Sequence, residues 1–255
     1  MAITHHETIG PGLARALLDC QEQGVILTPM PTFYERLTGR VPVEHLGRAF
    51  HVVLAVHREP NRLYLAFKRL MDIAIGLSGI AFTGLVVPLV ALLIRLESPG
   101  PVFYRQLRVG RGGRPFTIVK FRTMVPDAEV NGPQWTGERD DRVTRVGRFL
   151  RRLHLDELPQ AINILRGDMS FIGPRPERPE FVAHLEQQIP FYRARHAVRP
   201  GVTGWAQVNY EYGDSVEDAL IKLQYDLYYI KHANLWLDLV ILARTVGHVL
   251  RFAGR

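Results

Sequence analysis

From Ile73 to Ile94 the chain runs for 22 residues without a charge, bounded by Asp72 and Arg95. Roughly 20 apolar residues cross a bilayer as a helix, so this run restricts the chain to folds that meet a membrane or bury a long apolar helix. Two features argue against a plain span. Pro88 lies inside the run, where it deletes a helix hydrogen bond and forces a kink. Both flanks are basic, with Lys68 and Arg69 before and Arg95, Arg105, Arg108, Arg111 and Arg114 after, so loop charge offers little asymmetry to orient a span. A helix that enters, breaks at Pro88 and returns to the same face fits both observations. The alternative is a core helix of a soluble protein, where apolar stretches are usually about 10–14 residues.

The remaining sequence bounds the partners. The 255 residues are 47% hydrophobic and 22% charged, which excludes a disordered chain and allows one large domain or a small one with an appendage. A formal charge of +7 favours anionic partners: nucleic acid, phosphates or acidic lipid headgroups. The single cysteine, Cys20, permits no intramolecular disulfide or multi-cysteine zinc site and points to a reducing compartment. Residues 1–20 lack the basic start and apolar run of a secretory signal. The ten histidines, His5-His6 among them, suggest no metal site.

Three segments follow. Residues 1–60 form a short mixed piece, with a strand expected at Gln21–Thr28, a turn at Pro29–Pro31 and a helical turn or two at Phe33–Leu37 before Gly39. Residues 61–98 hold an amphipathic basic lead and the apolar run. Residues 99–255 form a polar domain. In it Pro115–Met124 reads as a strand, and Thr144–Leu153 as a helix capped by Thr144 with a Val146, Phe149, Leu150 and Leu153 stripe. A second helix is expected from Asp156 to Leu165, ending at Gly167. Ser215 and Asp218 form a capping box before the Leu220, Leu223, Leu227 and Ile230 stripe. The closing stretch, Leu235–Phe252, is apolar but carries Asp238, Arg244, His248 and Arg251, which suits a helix lying in an interface.

Four groups of residues could carry chemistry. Asp156-Glu157 opens a predicted helix, where the dipole keeps carboxylates ionised; an ionised aspartate there could attack phosphorus, and both side chains could hold Mg²⁺. The same pair also reads as ordinary capping residues. Lys120 and Arg122 share a strand face, roughly 7 Å apart, and either neutralise a diphosphate or end a solvated strand. Arg175 stands between Pro174 and Pro176, which fix its backbone for phosphate recognition or make a rigid surface turn. Pro200-Gly201 suits a type II turn, and Trp205 either packs a base, meets a membrane or joins the core. No nucleophilic triad, Walker loop or dinucleotide fingerprint is present.

In order, Lys68-Arg69-x-x-Asp72, the proline-interrupted apolar run, Ser98-Pro99-Gly100-Pro101 and Lys120-Phe121-Arg122-Thr123-Met124 are followed by Leu155-Asp156-Glu157-Leu158-Pro159-Gln160. Then come Gly167-Asp168-Met169-Ser170, Gly173-Pro174-Arg175-Pro176 and Arg199-Pro200-Gly201 with Thr203-Gly204-Trp205. Across residues 61–255 this series resembles the bacterial sugar transferases, the monotopic polyprenyl-phosphate phosphoglycosyl transferases. The resemblance implies a mainly helical α+β fold, with a small catalytic domain on a re-entrant membrane helix broken at Pro88 and interfacial amphipathic helices. It implies transfer of a sugar-1-phosphate from a UDP-sugar to undecaprenyl phosphate, with Asp156 as nucleophile, a covalent phosphosugar intermediate, UMP as leaving group and Glu157 completing the dyad. Mg²⁺ would bind Asp156 and Glu157, and Lys120, Arg122 and Arg175 would surround phosphate. The place implied is the cytoplasmic face of the bacterial inner membrane, against membrane lipid, starting a lipid-linked exopolysaccharide; a homo-oligomer is left open.

Two departures mark this chain. Val87 stands before Pro88, where such proteins often carry serine, and Tyr210-Glu211 replaces a frequent Gly-Arg. Tyr210-x-Tyr212-Gly213 and Lys222–Lys231 resemble an exopolysaccharide branch associated with exosortase systems, whose longer members carry an upstream domain; Thr32–Gly39 resembles its end, making residues 1–60 an expected remnant. A catalytically silent membrane scaffold is the competing expectation. A nucleic-acid binder is disfavoured, because the uncharged run has no use there and no recognition motif occurs.

Overall fold

The computed structural model describes residues 2–3, 10–45, 61–130, 132, 140–210, 213 and 215–250. His5, His6, Glu211, Tyr212, Arg251 and Phe252, weighed above, lie outside the described residues. The chain forms two compact units, Met1–Arg58 and Glu59–Arg255.

In the first unit β1 (Ala2–Ile3) pairs in parallel with β2 (Thr28–Pro29), and α1 (Pro11–Glu22) and α2 (Met30–Thr38) flank the latter in sequence. The strand expected at Gln21–Thr28 is thus mostly absent: Gln21 and Glu22 finish α1, Gly24 leaves it at a φ of 80°, and pairing begins only at Thr28. The turn expected at Pro29–Pro31 is instead the start of α2, with Pro31 in the first turn where a missing N–H costs nothing. Gly39 closes α2 in the left-handed conformation, just past the helical turns expected at Phe33–Leu37.

The second unit is a mainly helical α+β body built along one long helix, α3 (Arg62–Glu97, 36 residues). After it come the hairpin β3 (Phe103–Val109) and β4 (Pro115–Phe121), α4 (Arg145–Arg152), a 3₁₀ segment (Leu155–Gln160), α5 (Ala161–Arg166) and β5 (Ser170–Ile172). Then follow α6 (Pro179–Gln188), a 3₁₀ turn (Tyr192–Ala197), β6 (Gly201–Thr203), α7 (Trp205–Asn209), α8 (Val216–His232) and α9 (Leu235–Leu250). β3 and β4 are antiparallel from Phe103 opposite Phe121 to Val109 opposite Pro115, and β5 and β6 are parallel.

The helix α3 continues through Pro88, which is exposed. The break expected there is therefore not an interruption of the helix: the proline removes one i to i−4 hydrogen bond, and the rest of the helix, about nine other turns, carries past it. The buried or half-buried positions Lys68, Asp72, Gly76, Gly79, Thr83, Val86, Val90 and Ile94 recur every three or four residues, the period of one helix face. That face docks on the domain along its length. At one end Lys68 donates to Asp238 (3.1 Å) and to the Tyr229 hydroxyl (2.9 Å), Arg69 donates to the carbonyls of Ile164 and Leu165, and Asp72 accepts from Ser170 Oγ (2.9 Å) and Phe171 N (2.8 Å). At the other end Val90 and Ile94 join Val102, Phe121 and Leu150 in the main core, and Glu97 accepts from the first amides of α4, Arg145 N and Val146 N. The opposite face exposes Leu70, Leu77, Leu85, Leu89 and Leu96.

Capping works as the sequence indicated. Thr144 accepts from Gly147 N at the start of α4, and Ser215 and Asp218 close a reciprocal capping box on α8. Leu150 fills the core while Phe149 stays exposed, because an eight-residue helix buries only one stripe. The type II turn expected at Pro200-Gly201 is replaced by strand β6: Gly201 has no positive φ, and a Cβ there would meet Gly173 N at 2.1 Å. Glycine is required for the close approach of β5 and β6 rather than for a turn.

Candidate active site

The carboxylates Asp156 and Glu157 sit in the 3₁₀ segment Leu155–Gln160, not in the α-helix expected to begin there; α5 starts only at Ala161. His154, held at a positive φ of 56°, turns the chain out of α4 and into this segment. Three residues make one 3₁₀ turn, so Leu155 and Leu158 share a side and pack on the main core, which leaves Asp156 and Glu157 to the other sides. The segment lies against β4, and Asn163 in the following helix α5 holds to the same strand, donating to the Thr117 carbonyl (2.7 Å) and accepting from Val119 N (3.2 Å).

Glu157 is gripped from two directions. Lys120 Nζ, near the end of β4, and Arg175, in the turn after β5, each donate to its Oε1 at 2.7 Å. Burial alone would raise the Glu157 pKa, but Arg175 and Lys120 outweigh it and hold the carboxyl well below the usual range. Burial also pulls the Lys120 ammonium below its ordinary value, with Glu157 opposing.

Asp156 contrasts with its neighbour. It is 8% exposed and makes no hydrogen bond or ion pair with any described residue. Burial, and then the Glu157 charge, push its pKa up; Lys120, Arg151 and Arg175 pull against them. The site therefore holds one carboxylate locked in its anionic form and one buried carboxylate with its lone pairs uncommitted, among three cations. Arg151 is the member that sequence reasoning missed. It lies five residues before Asp156 on α4, with its Nε on Thr123 Oγ1 (2.9 Å), and only the turn at His154 brings it alongside.

The predicted phosphate-binding residues divide. Lys120 and Arg175 reach the dyad; Arg122 does not. β4 ends at Phe121, and Arg122 is buried with its guanidinium on the carbonyls of Pro99 (2.7 Å) and Ser98 (2.8 Å) and on Ser98 Oγ (3.0 Å). It fastens the chain leaving α3 to the hairpin. Trp205 is half-buried, stacked on Tyr228 at 5.8 Å between ring centroids and covered by Arg244 at 4.8 Å, so its faces are used in packing α7, α8 and α9. Asp238, one of the charges that made the closing stretch suit an interface, is fully buried and ties α9 to Tyr64 and Lys68 of α3. No cluster of three metal-ligating side chains occurs among the described residues.

The family model described as bacterial sugar transferase matches residues 63–252. The chain is 47% identical over 220 residues to the UDP-N-acetylgalactosamine-undecaprenyl-phosphate N-acetylgalactosaminephosphotransferase of Aeromonas hydrophila, covering 86% of this chain and 51% of that protein. It is 43% identical over 217 residues to the UDP-glucose:undecaprenyl-phosphate glucose-1-phosphate transferase of Xanthomonas campestris pv. campestris, covering 83% of this chain and 43% of that one. It is 38% identical over 191 residues to the uncharacterized sugar transferase EpsL of Bacillus subtilis (strain 168), covering 74% of this chain and 90% of that protein. The chain thus spans about half or less of the first two relatives, and nearly all of the third.

Proposed function

The chain belongs to the bacterial sugar transferase family, and from that premise we propose that it moves a sugar-1-phosphate from a UDP-sugar to undecaprenyl phosphate, beginning a lipid-linked exopolysaccharide. The observation that carries the reading is Asp156: a buried carboxylate without a partner, one residue from a glutamate held by two cations. In the first step an Asp156 oxygen attacks the phosphorus that bears the sugar. A P–O bond forms to the carboxylate, the P–O bond to UMP breaks, and UMP leaves with the electron pair. In the second step a phosphate oxygen of undecaprenyl phosphate attacks the same phosphorus and displaces the Asp156 carboxylate, giving the undecaprenyl diphosphosugar. Each nucleophile arrives anionic, so no proton need move.

Lys120 and Arg175 neutralise charge on the diphosphate, and Glu157 keeps both in place. Such catalysis is mainly positioning and electrostatics. The donor set also fits Mg²⁺: Asp156 is uncommitted, and Glu157 Oε2 accepts from no described residue, so two hard oxygens are available beside substrate phosphates. A bound Mg²⁺ would neutralise diphosphate charge.

The membrane path proposed keeps both ends of the unbroken helix α3 on one side of the membrane, with its exposed face in lipid. It is supported by the docking of both ends of α3 on one body, Lys68 and Asp72 at one end and Glu97 at the other, while Leu77, Leu85 and Leu89 between them stay exposed. On α9, Trp236, Leu239 and Val246 are exposed in the same way, as an interfacial helix would have them. Both ends of residues 73–94 should be labelled from the cytoplasmic side; a periplasmic label near Ser98 contradicts the path. Incubation with a panel of UDP-sugars and undecaprenyl phosphate should release UMP from at least one donor. A silent scaffold would release none.

A further inference from the structure

The turn that carries Arg175 cannot hydrogen-bond itself. Pro174 and Pro176 bring no N–H, yet four consecutive carbonyls are each held from outside. Gly201 N donates to Pro174 O (2.8 Å), Arg195 to Arg175 O (3.0 Å), Arg108 to Pro176 O (3.0 Å) and Val109 N to Glu177 O (2.9 Å). The Arg175 side chain is half exposed and reaches Glu157 by one hydrogen bond, so its aim depends on where this backbone sits. Arg195 is the holder with the most support. It is 5% exposed, its Nε and its NH2 contact Asp226 Oδ2 at 3.1 and 2.8 Å, and its NH1 donates to the Tyr192 hydroxyl at 2.7 Å. Asp226 is 1% exposed, on the buried stripe of α8. A buried ion pair is a costly way to gain stability, and here its arginine spends one donor on the backbone of a proposed substrate-contacting residue.

We propose that the Arg195–Asp226 pair is a positioning device: it fixes the Arg175 carbonyl, and so aims the Arg175 guanidinium at Glu157 and at substrate phosphate. The inference rests on the function proposed above for the dyad. Asp226→Asn preserves shape and removes the charge; Arg195→Lys preserves the charge and removes the planar fork. Thermal melting selects whichever variant remains folded. In that variant, amide exchange in peptides spanning 173–178 should rise at least about fivefold over the wild-type chain, with exchange in α4 unchanged. UMP release should lose about 10- to 100-fold in kcat, in keeping with an ångström-scale misplacement, with donor KM within about twofold. In an Arg175→Lys background the same substitution should cost less than about threefold, because its target is already altered. Exchange in 173–178 equal to wild type overturns the proposal whatever the turnover. So does full kcat, or an equal loss in both backgrounds. If wild-type enzyme releases no UMP from any donor, the functional reading fails, and the exchange measurement still decides the positioning.

Discussion

Lys120 and Arg122 leave the end of one strand two residues apart and enter different regions. Lys120 meets a carboxylate, Glu157, that a second cation shares; Arg122 meets carbonyls and a hydroxyl of the Ser98-Pro99 turn. The first region is a charged site whose contacts a diphosphate can exchange with its own oxygens. The second is a joint, where every observed contact of the guanidinium closes the path from α3 into the hairpin. The difference teaches that a cation's partner, more than its place on a strand, decides whether it is available for chemistry.

The comparison can be broken by substitution, and the dyad should respond most. Asp156→Asn should reduce UMP release by at least about 10³-fold, since a lost nucleophile removes the step itself, while circular dichroism and melting stay near wild type. Arg175→Ala should cost about 10²- to 10³-fold in kcat, the range for removing one donor that stabilises transition-state charge. The pH–rate profile sharpens the picture. Because the Asp156 pKa is raised and that of Glu157 lowered, the acid limb belongs to Asp156: activity falls as pH drops through its folded value, which lies above that of an exposed aspartate at about 3.9. Arg122→Ala should do the reverse of the dyad variants. It should lower stability by about 1.5–3 kcal/mol, the scale of hydrogen bonds to a charged group, and leave kcat of the folded enzyme within about twofold. A kcat loss in Arg122→Ala as large as that in Arg175→Ala would erase the distinction between the two regions. Smallest of all, Thr144→Ala should cost about 1 kcal/mol through the lost cap of α4, read from the melting midpoint.

Much of this was legible in the chain. Thr144, Ser215 with Asp218, and Gly167 announce their helix ends, because caps act within a few residues. The apolar run and the Asp156-Glu157 pair were visible for similarly local reasons. Arg122 was misplaced by periodicity: a spacing of two predicts a shared face only while the strand lasts, and β4 stops at Phe121. Gly201 was misread because Pro-Gly suggests a turn, whereas the constraint is the approach of Gly173 on another strand. Arg151, Arg195 and Asp226 carry no sequence signal, since their partners lie in other elements that only the fold brings together. Pro88 shows the limit of a local rule in the other direction: a helix docked along one whole face stays helical across a proline.

The central claim is that Asp156 takes the phosphosugar covalently. Wild-type enzyme incubated with its UDP-sugar and no undecaprenyl phosphate, then quenched in acid and digested, should yield the Asp156 peptide heavier by one sugar phosphate, and undecaprenyl phosphate added before the quench should discharge it. A productive enzyme that releases UMP and whose Asp156 peptide never carries that mass would contradict the account.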